Sequence, residues 1–440
     1  MTSIREFEKI CSEGSEIVFR ALAGDTDAIE KLMLIFDAAG AGALDDYLKA
    51  PPRNMDRSSV TTSSHLLTLS LLNRFRGLDS RAFYKGDPLR YVRTNLVTQR
   101  LIGIGEPTIG WPVYAFGAEA LGQLMIYPND QAPGSDPGLP LIELDDFNDM
   151  APINLETEIC RITSEMLGHF HDITGRDPVA HLPAPYSLAA EILGQENIIF
   201  ALSTKPGKVK DFLDHLVDAV LIPWCRALHE CHPGVWLELS DASGSPSFVG
   251  PHYFIEVCLP PVQRLIEEKP WGERVFVANY RGDSVVDSSS RENRKPLRRR
   301  SSTSQSHQSA GAKSTDMKID DLLDIKHKIC PKFVIKLYAD TIPLDVYVRA
   351  SQHFGLPLYV GIGATRLDRN SVIDIEAAAR ELEADGRVYG SAVLTARRNA
   401  DNITTQSWPG GVYIEDINAE SHPRLIEAII NGVSNSRGVI

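Results

Sequence analysis

Short apolar runs that end in Asp or Gly, each followed by a segment of helical period, constrain this chain more than any other feature. The clearest runs are Val179 to Pro183, Val235 to Asp241, Arg274 to Asp283, Lys332 to Asp340 and Pro357 to Gly363. Between and after them, residues 188–193, 209–230, 252–268, 344–354 and 373–384 carry apolar side chains at three- and four-residue steps, the spacing of one helix face. Strands that alternate with helices pair in parallel through crossover helices. The fold class expected is therefore α/β, with a (β/α)8 TIM-type barrel ahead of an open doubly wound sheet, because no glycine-rich phosphate turn follows the early strands. Polar residues at run ends belong on the C-terminal rim, where such barrels keep their chemistry.

Two segments depart from this texture. The first eighty residues read as helices over 4–22 and 25–38, the second opening at Gly24-Asp25-Thr26, so residues 1–80 are expected to form an α-helical N-terminal extension and residues 81–440 the barrel. Residues 284–318 hold ten Ser, eight Lys or Arg and only three Asp or Glu. That composition buries too little apolar surface to offset the entropy of ordering, and a disordered insert is expected there. Within it, Arg298-Arg299-Arg300 precede Ser301 and Ser302, an arrangement suited to a basophilic kinase as partner.

Composition narrows the function classes. The 440 residues carry 45 Lys plus Arg against 58 Asp plus Glu, a net charge of -13, which repels phosphate backbones and argues against nucleic acid or an anionic membrane as partner. Cys11, Cys160, Cys225, Cys231, Cys258 and Cys330 are widely spaced, and a chain of this length needs no disulfide framework, so reduced thiols are expected. The charged N-terminus and the lack of an apolar run of about 18 residues lead to the expectation of a soluble, cytoplasmic protein, as monomer or homodimer.

The order of segments resembles the uroporphyrinogen decarboxylase superfamily, which includes corrinoid-linked zinc methyltransferases and the catalytic half of cobalamin-independent methionine synthase. The resemblance rests on Phe83 to Pro88, Phe116 to Gly122, Pro185 to Gly194, Leu239 to Ser245 with the helix at His252, and Leu358 to Gly363; it runs from about Arg74 to the C-terminus without the insert. It implies a barrel with chemistry at its C-terminal face. The decarboxylase proper grips substrate carboxylates with an Arg-Gln-Ala-Gly-Arg motif that has no counterpart here. The zinc methyltransferases place His-x-Cys-Gly at one strand end and a Cys on a later strand, where this chain reads Asn279-Tyr280-Arg281-Gly282 and Val360-Gly361. Arg stays protonated and has no lone pair to give a metal. No metal and no other cofactor are therefore expected.

Asn279 and Arg281, two apart on a strand, point to one side, and a guanidinium at a rim is a bidentate receptor for a carboxylate or phosphate; a small anionic, carboxylated substrate is expected. The alternative is an ion pair from Arg281 to Asp283 or Asp241 that only fastens the rim. Asp241 opens the turn Ala242-Ser243-Gly244 that matches the superfamily's Asp-containing turn, which implies an acid or base there, or else a simple turn cap. His181 suits proton transfer at neutral pH and Tyr186 suits orienting a substrate; both are candidate catalytic residues with Asp241, each set against a packing role. Ser243, Trp111 and Tyr114 join Arg281 and Asn279 as candidate substrate contacts. Cys225, His229, Cys231 and His232 have metal-like spacing, but their helix ends on the barrel's N-terminal side, so buried thiols and surface imidazoles are expected. His169 and His171 read as a polar helix end.

Three functions fit these readings. The first is a cofactor-independent lyase, most simply a decarboxylase; the second is methyl transfer to or from a thiol, amine or corrinoid; the third is a non-catalytic relative that binds an anionic metabolite.

Overall fold

The computed structural model describes residues 7, 15–49, 59–136, 138–268, 271–278, 318–338, 342–400 and 410–436. Seven strands carry the architecture: β1 (Ser59–Thr62), β2 (Val179–Pro183), β3 (Trp236–Ser240), β4 (Val275–Ala278), β5 (Val334–Lys336), β6 (Leu358–Ile362) and β7 (Gly411–Ile414). All their pairings are parallel, in a four-stranded sheet of order β1-β7-β6-β5 and a three-stranded sheet of order β2-β3-β4. The chain is thus α/β, and each of the five apolar runs of the sequence supplies a strand.

Side-chain alternation along these strands divides the core in two. Ala180, Leu182, Leu237, Leu239, Val277, Val334, Val360, Ile362, Val412 and Ile414 join the large cluster formed with the helices. The opposite parity supplies Val179, Trp236, Phe276, Ala278, Ile335, Tyr359 and Tyr413 to a second, smaller cluster, with Phe333 and Leu337 from the ends of β5. Both sheets contribute to that second cluster. Phe276 of β4 meets Phe333 edge-on at 4.9 Å, and Phe333 meets Tyr359 of β6 at 4.9 Å, so the two sheets share one aromatic cluster. Period-2 alternation with apolar residues on both faces is what covered parallel strands require.

The principal helices are α1 (Glu16–Leu22), α2 (Thr26–Gly40), α3 (His65–Arg76), α4 (Ser80–Lys85), α5 (Pro88–Leu101), α6 (Val113–Ala120), α7 (Glu158–Thr174), α8 (Pro185–Leu193), α9 (Pro206–Leu216), α10 (Ile222–Cys231), α11 (Leu259–Glu267), α12 (Ile319–Ile329), α13 (Leu344–Phe354), α14 (Ile375–Asn399) and α15 (Pro423–Ser434). Their starts follow capping chemistry. Asp25 accepts from Ala28 N at 3.1 Å, and Asp87 accepts from Leu89 N and Arg90 N ahead of Pro88, which satisfies amides that the first helical turn leaves open.

Three differences from the sequence expectations have physical causes. The segment expected to be wholly helical contains β1, which pairs with β7 from the far end of the chain; Ser59-Val60-Thr61-Thr62 is too short and too polar to announce itself. The long helices expected over 209–230 and 252–268 each contain a π turn, at Val217–Leu221 and Phe254–Cys258, just before Pro223 and before Pro260-Pro261. A proline gives no N–H to the turn behind it, and widening that turn relieves the clash. The residues of the expected disordered insert lie outside the described residues, apart from Lys318, and so do Ser301 and Ser302. No helix among the described residues is long and apolar enough to cross a membrane.

Candidate functional site

Parallel pairing brings the C-terminal ends of neighbouring strands to one side, where α/β proteins bind ligands. Between the ends of β1 and β2 lies an extended segment, Thr108 to Trp111, held mainly by side chains. Thr108 Oγ1 donates to Thr62 O at 2.9 Å, Gln99 bonds both the N–H and the carbonyl of Thr108, and Tyr91 Oη donates to Gly110 O at 2.5 Å. On its other side, Trp111 Nε1 donates to His181 O at 3.1 Å. A Cβ on Gly110 would stand 2.8 Å from Ser63 Oγ, so the segment lies close against the end of β1 and a larger residue there would push the Ser63 hydroxyl aside.

His181 sits mid-strand on β2, opposite its register partner Glu238 on β3. Its Nε2 lies 2.8 Å from Ile109 O and its Nδ1 3.3 Å from Glu238 Oε2. Each ring nitrogen therefore faces an acceptor, which only an imidazolium satisfies fully. Burial opposes that charge, but the Glu238 carboxylate and the Ile109 carbonyl outweigh it, and His181 is raised above the ordinary histidine value. His181 and Glu238 are 18% and 21% exposed at the side chain.

Beyond β3, Tyr114 Oη stands 2.9 Å from Ser240 Oγ and accepts from Ala242 N at 3.1 Å. Asp241 is 2% exposed. Its Oδ1 accepts from Ser187 Oγ at 2.8 Å and from Gly244 N at 2.9 Å, and Ser187 Oγ in turn accepts from Ser243 N at 3.1 Å. Gly244 has no room for a Cβ, which would lie 2.6 Å from both Asp241 oxygens and 2.8 Å from Tyr186 Cβ. Burial raises the Asp241 carboxyl to about 6, against the lowering effect of the Ser187 and Gly244 bonds. Asp241 thus caps its own turn, the packing alternative, and also titrates close to neutrality. Tyr186 is buried, its hydroxyl has no partner among the described residues, and burial, followed by the neighbouring Cys258 and Asp241, raises it.

Trp111, Tyr114, His181, Tyr186, Asp241 and Ser243 are accordingly brought near one another around β2 and β3 and the helices α6 and α8, whereas Asn279 and Arg281 lie outside the described residues. Sequence reasoning passed over several groups in the same place. Glu238, in the alternating run Trp236 to Ser240, was legible as the inward neighbour of a polar strand end. His65, at the start of α3, has Nδ1 2.7 Å from Tyr84 Oη; burial pushes it below the ordinary histidine value, with Asp416 acting upward and His181 downward. Past β7, Glu415 accepts from Tyr338 Oη at 3.0 Å and from Ala364 N at 3.3 Å.

The zinc site implied by the resemblance does not fit the residues present. Gly361 has no donor atom, and the ring of Tyr413 occupies the space into which a Cβ there would project. Among the described residues no group of three or more His, Cys, Asp or Glu is placed to hold a metal ion. In the Cys225 to His232 cluster, Cys225 is buried and raised by that burial, Cys231 is exposed, and His232 Nε2 lies 3.0 Å from Ser164 Oγ.

No protein-family model and no curated protein matches the chain. Among solved structures it is similar to a methyltransferase from Methanosarcina mazei, with 12% sequence identity, a TM-score of 0.56, and coverage of 88% of this chain and 95% of the other. At that identity the likeness is one of fold, extending over nearly the full length of both proteins.

Proposed function

We infer that the protein is an enzyme that moves a methyl group, with its site at the C-terminal ends of β1, β2 and β3. The observation that carries this reading is the likeness in fold to a methyltransferase over 88% of the chain. The lyase expectation draws no support from the comparisons. In the proposed architecture the Thr108 to Trp111 segment stands as the eighth strand between β1 and β2. The aromatic contacts from β4 to β6 close the other seam, giving a (β/α)8 barrel.

Methyl transfer breaks a bond from carbon to a thioether, amine or corrinoid donor and forms one to the acceptor. A thiol or amine acceptor must lose a proton, and an amine or thiolate leaving group must gain one. Asp241, raised to about 6 by burial, suits either transfer, and Tyr114 stands against its turn. Among the described residues none is placed to hold a zinc-bound thiolate, so in this reading activation of the acceptor rests on acid–base groups. Arg281 and Asn279 stay candidate contacts for an anionic portion of the substrate, on the sequence argument alone.

The test is transfer of an isotopically labelled methyl group from methylated thiols, amines and methylcorrinoid to thiol acceptors. Asp241→Asn should lower kcat by about 100-fold or more with little change in substrate affinity. Carbon dioxide release from carboxylated compounds, with no methyl transfer from any donor, would return the assignment to the lyase reading.

A further inference from the structure

The strongest unassigned arrangement is the one that ties His181 to both of its neighbours. His181 was a candidate proton-transfer group, yet both of its ring nitrogens are committed, Nε2 to Ile109 O and Nδ1 to Glu238, and its own carbonyl accepts from the Trp111 indole. The Trp111 ring stands edge-on to the imidazole, with centroids 5.4 Å apart. Three residues further on, Tyr114 reaches across to Ser240 and Ala242 N. The link from Glu238 through His181 to Ile109 therefore adjoins Trp111, from which the chain continues to Tyr114 at the Asp241 turn.

We propose that Glu238 is a positioning residue: by holding His181 against the Ile109 carbonyl it fastens the Thr108 to Trp111 segment to β2 and β3 and so sets where Trp111 and Tyr114 stand. The geometry gives the reason. This segment is fastened largely through Thr108, Gln99, Tyr91, His181 and Trp111 side chains, and the His181 link is the one on the β2 side that depends on a charge. An imidazolium donates from both nitrogens at once; a neutral ring donates from one only and must leave either Ile109 O or Glu238 without its proton. The charged and titratable groups that act on His181 are Glu238 from β3, Asp416 from beyond β7, and His65 from the start of α3. Glu238 lies closest, and its field adds to that of Asp416 in holding the proton.

That Trp111 and Tyr114 line a substrate site rests on the function proposed above; the fastening itself does not. The test keeps the two apart. In the full-length protein labelled with 15N-histidine and 15N-tryptophan, His181→Gln and Trp111→Phe assign the two side chains. Glu238→Gln should lower the His181 titration midpoint and speed hydrogen exchange of the Trp111 indole N–H by tenfold or more, while Glu238→Asp should restore part of both. An unmoved midpoint, or equal indole protection in Glu238→Gln, overturns the proposal even if the protein is fully active. Where turnover is measurable, Glu238→Gln should raise KM more than it lowers kcat. A loosened Trp111 with unchanged KM would support the fastening and remove Trp111 and Tyr114 from the site.

Discussion

Ser187 Oγ donates to Asp241 Oδ1 at 2.8 Å while accepting from Ser243 N, so one hydroxyl on α8 couples the buried carboxyl beyond β3 to the backbone of its own turn. This bond, with that from Gly244 N, supports an acid that burial would otherwise push higher still. Its consequence for stability has a definite sign. The folded value, about 6, is above the ordinary 3.8, so the folded state holds the proton more tightly, and the stability contributed by the protonated form is lost as pH rises through about 6. Asp241→Asn keeps the amide oxygen as acceptor and removes the charge. Urea denaturation should show the variant more stable than the parent at pH 7.5, by up to about 3 kcal/mol, with the gap closing as pH falls toward 4. A pH-independent difference would mean that Asp241 does not titrate in this range.

His65 behaves in the opposite sense. Its folded value is depressed by burial, so its contribution to stability is present above the ordinary histidine value and is lost as pH falls through the lower, folded one. His65→Gln should flatten the loss of thermal stability below pH 6. Tyr84→Phe removes the partner of Nδ1 and should cost about 1–3 kcal/mol at pH 7.5, as expected when a buried polar atom is left unpaired. Thermal unfolding at a series of pH values reads both.

The tyrosine rings of the interior need bare backbone beside them. A Cβ at Gly361 would overlap the Tyr413 ring, and one at Gly363 the Tyr338 ring. Gly361→Ala should therefore lower stability by about 1–3 kcal/mol, the usual range for overpacking. Adding Tyr413→Leu to that variant should recover part of the loss, and simple additivity of the two changes in denaturant titrations would refute the contact.

Lys85 at the end of α4 is 10% exposed, with Nζ 2.7 Å from Glu119 Oε1 and 2.6 Å from Glu158 Oε2. Its paired charges hold it above the ordinary lysine value against the cost of burial. Lys85→Met leaves the largely buried Glu119 with Tyr127 and should destabilise the protein by about 2–3 kcal/mol, less than a fully buried pair because Glu158 is half exposed. Lys85→Met with Glu119→Gln should be milder than Lys85→Met alone, as read by the urea midpoint.

Much of the candidate site was visible because it belongs to strand ends. Asp241 and His181 each follow or interrupt an apolar run, and a polar residue at that place in an α/β chain has few reasons to be there other than chemistry, capping or fastening. What each one does was not visible. The choice between proton donor and fastener for His181 depends on Glu238, 57 positions away in the chain and opposite it only once β2 and β3 are in register. His65, Tyr84 and Asp416 come together from three separate segments, and no local pattern relates them.

The sequence by itself determined the local elements: five strands, the helices between them and the helix start at Asp25, because periodicity, proline and capping side chains act within a few residues. It also determined the chemical character of the strand ends. Only the tertiary structure decided the rest. β1, four residues long, becomes a strand because it pairs with β7 across some 350 residues of chain, an energy that no window of sequence contains. The segment Thr108 to Trp111 is held by side chains of α5 and β2 and by its own Thr108 and Trp111, and the ionisation of Asp241, His65 and His181 is decided by burial and by partners distant in sequence. Those are properties of the assembled interior, where desolvation and nearby charge outweigh what a residue carries on its own.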